Sequence, residues 1–215
     1  MTKLLGTYRD KIILERLQFP LRKRLWDLRD AGRAPPDPDV LRWAAQIALG
    51  LQHLHSRGVL QVDVGPHNVL LDRDDNAKLS DFARSSIDGS CRLVCPGRRA
   101  EHPDIPAGAP SVRSEIFALG STLYELETTR QPYHDRDDHE VHRLFLAGDF
   151  PHTARLILGD VMRKCWASKY ALSAMLSGIY RALSSPMLGL GACSTASMLE
   201  QEKGMLSNIR ALVSC

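Results

Sequence analysis

No apolar run in these 215 residues approaches the ~20 needed to span a membrane as a helix. The opening M-T-K-L-L-G-T-Y-R-D-K has no apolar stretch of the kind a secretory signal carries. Cysteine is scarce: five, an odd number at irregular spacings, which fits reduced thiols in the cytosol rather than a disulfide framework. Cys91-x-x-x-Cys95 lacks the spacing and the second pair of a structural zinc site. An excess of charge is also missing. A net charge of +3 and an isoelectric point near 8.6 are too mild to argue for nucleic acid or a membrane surface. These absences lead to the expectation of a cytoplasmic protein, with no nucleic acid and no membrane among its partners. What is present, 44% apolar and 25% charged residues, is the composition of a soluble globular chain long enough for one domain with a sizeable core.

Apolar periodicity divides the chain. Residues 4–8 and 11–17 read as two strands about an Arg9-Asp10 turn. Leu21 to Asp30 reads as a helix, with Arg22-Lys23-Arg24 as a solvated basic face. A connector rich in Pro, Asp and Gly follows, and Asp37 is placed to cap a helix beginning at Pro38. That helix is predicted to run to about Ser56, with Val40, Ala44, Ile47, Ala48, Leu51 and His55 along one stripe and Gly58 ending it. Residues 84–109 carry Gly and Pro without periodicity and read as loop. Ser111 to Glu127 has so wide an apolar stripe that a central helix is expected. Further helices are predicted over Asp138–Ala147, Ala154–Trp166 and Tyr170–Leu183. Met205 to Val213 has amphipathic spacing behind a Ser/Gly-rich linker. His139 and His142 lie one turn apart, two groups short of the four ligands of structural zinc.

The stretch from Leu60 to Ala83 holds the polar residues that ask for chemistry. Val69-Leu70-Leu71 and Ala77-Lys78-Leu79-Ser80 have strand length, and Asp72 to Asn76 forms the turn between them. Such a hairpin brings Asn68 and Asp81 to one end of two paired strands, with Asp63 on the loop just before. Two carboxylates and an amide oxygen converging there can hold Mg²⁺, which takes oxygen ligands and shares them with substrate phosphates. An ordinary turn with solvated acids is the alternative for any one of the three.

Gln61-Val62-Asp63, Asn68 and Asp81-Phe82-Ala83 together resemble the catalytic loop and metal-binding D-F-G of protein kinases. The resemblance covers about residues 2–183. It implies an α+β fold: a mostly α-helical large lobe with a remnant β-hairpin of the small lobe. On that pattern residues 1–18 are small-lobe strands and hinge, and residues 19–183 are the large lobe. The catalytic loop spans 60–68 and the activation segment 81–104, while 184–215 is an unassigned tail. It further implies that Asp63 deprotonates a substrate hydroxyl, and that Asn68 and Asp81 hold Mg²⁺ on the phosphates of ATP. Leu14, Glu15, Leu17 and Leu70 would line the nucleotide pocket, with Glu15-Arg16-Leu17 as hinge. The implied partner is a protein, as substrate or as bound module. Glu115 stands where kinases place an acid that holds the catalytic-loop backbone, although ordinary helix N-terminal charge accounts for it too.

The pattern is broken in places, in a manner similar to kinase-like proteins of filamentous fungi. No G-x-G-x-x-G and no V-A-I-K precede Leu4. Gln61-Val62 replaces His-Arg, and Gly65 replaces a Lys or Arg that steadies the γ-phosphate, a loss of about 10²–10³ in rate by analogy with oxyanion donors. Ala83 replaces Gly, and His102-Pro103-Asp104 stands for A-P-E. A bare hairpin over residues 1–17 exposes an edge and apolar faces, so either it packs on the large lobe or the chain is a fragment. The expected function is that of a partial protein kinase domain, ATP- and Mg²⁺-dependent in the complete family protein and inactive as this chain. A pseudokinase-type binding module is the alternative from a second class, and an α-rich domain without nucleotide chemistry is the third.

Overall fold

Short apolar runs broken by turn residues form short strands before Leu21 and after His55. The structure, a computed structural model, describes residues 2–9, 11–89, 96–168 and 172–183. β1 (Leu4–Tyr8) and β2 (Lys11–Leu14) pair antiparallel, Leu4 against Leu14 and Tyr8 against Lys11. Leu4, Leu5, Ile12, Ile13 and Leu14 are exposed, so both faces of the hairpin are open. Its base is anchored: Thr2 N donates to Leu79 O at 3.0 Å, and Glu15 pairs with Lys78 at 2.8 Å. The second strand is shorter than its apolar pattern predicts. Beyond Leu14 the chain leaves the hairpin, because Gln18 N donates to Leu71 O at 2.9 Å and Pro20 bridges to Leu70.

α1 (Leu21–Asp30) is followed by α2 (Asp37–His55), which buries Val40, Ala44, Ile47, Ala48 and Leu51 as one face of the core. α2 starts at Asp37 rather than Pro38. Its cap position is Pro36 and no side chain caps it, so the acids of the first turn, Asp37 and Asp39, favour the helix through its dipole rather than as caps. The helix stops where expected, and Gly58 takes φ +69°, a conformation that a Cβ disfavours.

β3 (Val59–Leu60) leads into the central loop. β4 (Val69–Leu71) and β5 (Ala77–Leu79) form the hairpin read from the sequence, with Val69 opposite Leu79. α2 holds that hairpin from below. Gln46 accepts from Ala77 N at 2.7 Å and donates to Asn76 Oδ1 at 2.9 Å, and Trp43 Nε1 donates to Asp75 O at 2.8 Å. A Cβ at Gly50 would lie 2.7 Å from Leu79 Cδ1, so the missing side chain lets helix and strand touch. β6 (Ser86–Ile87), inside the segment read as loop, pairs with β3. Two residues per strand are too few to show a period, which is why the pattern misses them.

α3 (Val112–Thr128) is the central helix expected, opened by a reciprocal capping box between Ser111 and Ser114. α4 (Asp138–Leu146) agrees with its pattern. α5 (Gly159–Trp166) is shorter than the predicted 154–166: Ile157 N and Leu158 N donate to the Glu127 carboxylate at 2.5 and 3.2 Å, which holds that stretch as a turn. α6 (Leu172–Leu183) completes the described chain. Gly120 lets α5 close on α3, where Trp166 Nε1 donates to Ser121 Oγ at 3.1 Å. The Cys91/Cys95 pair, the helix over 205–213 and the tail 184–215 lie outside the described residues. The result is an α+β fold, mostly helical, with three two-stranded antiparallel pairs among the described residues. No helix among the described residues is long and apolar enough to cross a membrane.

Candidate active site

The loop between β3 and β4 is pinned from beneath by α3. Glu115 is 2% exposed; its Oε1 accepts from Val62 N at 2.6 Å and its Oε2 meets His55 Nε2 at 2.5 Å. One buried carboxylate therefore joins α2, α3 and the loop. Val62 has φ 71°, a strained conformation for a β-branched residue that surrounding bonds must impose. The carbonyl and side chain of the next residue, Asp63, are thereby aimed at the β4–β5 end.

There Asn68 Nδ2 donates to Asp63 O at 2.9 Å and to Asp63 Oδ2 at 3.1 Å. The Asn68 backbone closes the other side: its carbonyl accepts from Ser80 N at 2.9 Å and from Ser80 Oγ at 3.0 Å. Asp81 is thus one residue from a direct tie to Asn68. It is exposed and sits in the left-handed region at φ 54°, ψ 65°.

Two residues that the motif comparison counted as losses hold this arrangement. Gln61 is 1% exposed, and its Nε2 donates to Ser80 O at 2.7 Å and Asp81 O at 3.2 Å. The Gln61 amide thus ties the loop after β3 to the turn that begins at Asp81. Gly65 is not simply a missing cation. A Cβ there would lie 2.5 Å from His67 Cε1, so the imidazole occupies the space a side chain at 65 would need. From that position His67 Nε2 reaches Asp63 Oδ2 at 3.1 Å. No spacing rule could have singled out His67, because its position depends on the empty volume at Gly65.

The other predicted residues take no part in these side-chain bonds. Leu14 is exposed on β2, Glu15 is held by Lys78, and Leu17 is partly buried where the chain crosses to β4. The Glu15 carboxyl is held below its ordinary range, chiefly by the Lys78 hydrogen bond, and Lys78 is raised by the same bond. Leu70 bridges to Pro20, so Leu70 and the 15–20 segment share one side of the hairpin.

A hollow of about 380 Å³ opens on the Asp63 side. It is lined by Asp63, Gly65 and His67 from the central loop and by Arg99, Thr122 and Glu125 from elsewhere in the chain. Arg22 grips Glu125 through two 2.8 Å bonds, the fork geometry that a carboxylate matches best. In the loop before α3, His102 is 3% exposed, with its ring 5.1 Å from that of Phe117. Nδ1 accepts from Asp104 N at 3.1 Å and Nε2 meets Ser168 Oγ at 2.9 Å. Burial lowers the His102 pKa, and Arg113 adds to the effect against Asp104.

The protein kinase domain model matches residues 12–171, and the chain belongs to that family. It is 35% identical over 125 residues to rhodopsin kinase GRK1 of Homo sapiens, a match covering 55% of this chain and 22% of that protein. With the serine/threonine/tyrosine-protein kinase HT1 of Arabidopsis thaliana it shares 25% identity over 189 residues, covering 81% of this chain and 48% of the relative. Protein kinase C delta type of Mus musculus is 33% identical over 130 residues, covering 57% of this chain and 19% of that protein. The chain spans less than half the length of each of these relatives.

Proposed function

We propose that this chain carries the phosphoryl-transfer centre of a protein kinase, acting with ATP and Mg²⁺ on a Ser/Thr or Tyr hydroxyl of a protein substrate. The observation that carries the reading is the Asp63–Asn68–Asp81 end of the β4–β5 hairpin. Asp63 and Asn68 are bonded to each other, and Gln61 ties the Asp81 backbone to the same loop. In this reading residues 1–18 supply strands and hinge of the nucleotide side, 19–183 form the large lobe, and 184–215 stay unassigned. Leu14, Glu15, Leu17 and Leu70 line the nucleotide, while Asn68 and Asp81 are the metal ligands.

The donor set fits such a group. The amide nitrogen of Asn68 is spent on Asp63, which leaves its oxygen without a partner among the described residues. Asp81 is exposed. The described residues hold no cluster of three or more His, Cys, Asp or Glu able to take a metal. Two oxygens suit Mg²⁺, which keeps waters and phosphate oxygens in the rest of its shell. When bound, that ion supplies neutralisation of charge on the phosphates.

Asp63 is the catalytic residue: its carboxylate accepts the proton of the substrate hydroxyl. Asn68 and His67 are positioning residues, since both reach Asp63 Oδ2 and fix the plane of the carboxylate. Glu115 positions the loop through Val62. A second reading, a protein-binding module without catalysis, is favoured by one observation: the His67 ring fills the space at Gly65 that a phosphate-steadying cation would occupy.

Thermal unfolding with ATP and Mg²⁺ tests between them. Ligand at about 100 times its Kd stabilises by roughly 2.7 kcal/mol, so a rise in Tm that Asp81→Asn abolishes supports the phosphoryl-transfer reading. No rise at any nucleotide concentration supports the binding module. Labelling of a peptide library that Asp63→Ala abolishes would establish catalysis itself.

A further inference from the structure

A second hollow, of about 350 Å³, adjoins the Asp63 groove and shares Arg22, Glu125 and Gln131 with it. Its outer wall is built from Trp26, Arg29, Arg130 and His134. The balance of donors and acceptors there is one-sided. Glu125 is the one carboxylate that lines it, and both of its oxygens are already taken by Arg22. Arg29 is paired only with its neighbour Asp30, at a solvent-facing site, where such a pair contributes little. Arg130 is exposed, and among the described residues no carboxylate pairs with its guanidinium. Trp26 is 47% exposed and offers an indole face with a single N–H donor. The hollow therefore presents donors and positive charge with no acceptor anion left over. Elsewhere in the chain Arg24, Arg42, Arg98, Arg99 and Arg136 are each paired with a carboxylate.

We infer that this hollow is a substrate subsite for an anionic side chain, an acidic or phosphorylated residue carried on the same protein segment that brings its hydroxyl to Asp63. The inference rests on the phosphoryl-transfer reading for its orientation toward Asp63. A peptide is favoured over nucleic acid because the hollow is continuous with the Asp63 groove and its unpaired positive charge is local. Arg29 and Arg130 hold the anion, and Trp26 covers the aliphatic part of the segment.

Binding to the full chain is measured by fluorescence anisotropy with labelled serine peptides. These carry a block of glutamate, phosphoserine, glutamine or lysine to one side of the acceptor, each in both directions. The expected result is that the glutamate and phosphoserine peptides bind at least about tenfold more tightly than the glutamine peptide, with a margin that shrinks as salt rises. The tighter of the two identifies which anion the site takes. Arg29→Glu/Arg130→Glu, two changes at the surface, should erase the margin and favour the lysine peptide. Equal affinity for all four blocks overturns the inference, and so does an anion preference that survives the double reversal. A single-stranded oligonucleotide that outcompetes the acidic peptides in a manner dependent on Arg130 also overturns it. The ATP·Mg²⁺ shift in Tm is read in parallel on the same variants: its absence refutes the phosphoryl-transfer reading, while the charge preference is decided by the anisotropy alone.

Discussion

Replacing Glu115 should do more damage than any other single change of a charged residue in this chain. Glu115→Ala removes a charge-assisted bond to Val62 N, worth about 1.5–3 kcal/mol. It also strands His55 Nε2 beside an Nδ1 that is already buried without a partner. A buried donor left unsatisfied costs a further ~1–3 kcal/mol. Part of this returns as Val62 relaxes from its strained φ of 71°, a release of about 1–3 kcal/mol. With that release set against the two losses, the net expectation is about 2–3 kcal/mol, a large share of the ~5–15 kcal/mol that holds a domain together. Glu115→Gln is the informative contrast. Its amide oxygen can still accept from Val62 N and its NH₂ can donate to His55 Nε2, but the imidazole proton must then sit on the unpartnered Nδ1. That limits the loss to about 1–2 kcal/mol. Urea unfolding followed through the three tryptophans, with m unchanged, reads both values. Hydrogen exchange at Val62 N–H should accelerate in the Ala variant and much less in the Gln variant. A loss below about 1 kcal/mol for Ala, or equal losses for Ala and Gln, would refute the account of Glu115 as the pin of the loop.

Stability should also fall in mild acid through His102. Its folded pKa is lowered by burial, so the unfolded chain binds the extra proton first; the contribution is complete above the ordinary value of 6.5 and is lost as pH falls through the depressed one. His102→Asn, which keeps an acceptor for Asp104 N, should flatten the stability-versus-pH curve in that window, and an unchanged curve would count against the assignment. His53 is lowered too, by partial loss of solvation and by Arg57, and His53→Gln is the control for its share. Gly159→Ala should cost about 1–3 kcal/mol in the same urea assay, because a Cβ there would sit 2.0 Å from Thr153 O. Gly97→Ala, with nothing within 4 Å, should change little. Cys165, whose thiol burial pushes up to about 12, should resist alkylation at pH near 8 until denaturant is added, as mapped by peptide mass; rapid native labelling would show that the α3–α5 seam opens.

The strong periods survived intact. Helices at Leu21, in α2 and in α3, and the β4–β5 hairpin are legible because each carries several turns of apolar spacing or two strands about one Asp-rich turn. The failures are local and have local causes. α5 begins late because Glu127, thirty residues away in sequence from Ile157, takes the amide groups that a helix would have used. The β3–β6 pair escaped notice because two residues per strand leave no pattern, and their pairing is a long-range matter.

The candidate site divides in the same way. Asp63, Asn68 and Asp81 could be picked out from their joint spacing and their likeness to a motif, since the chain between them is short and its hairpin is local. Gln61 and Gly65 read as defects when set against a motif, because a motif records residue types and carries no volumes. Only the packed chain shows that the Gln61 amide spans to Ser80 and Asp81, and that the space at Gly65 is taken by His67. Local order along the backbone is set by neighbours in sequence and is therefore written in them. Which side chain fills a gap, and whether Arg22 or a ligand holds Glu125, is decided by groups as far as 103 residues apart, and only folding brings those into contact.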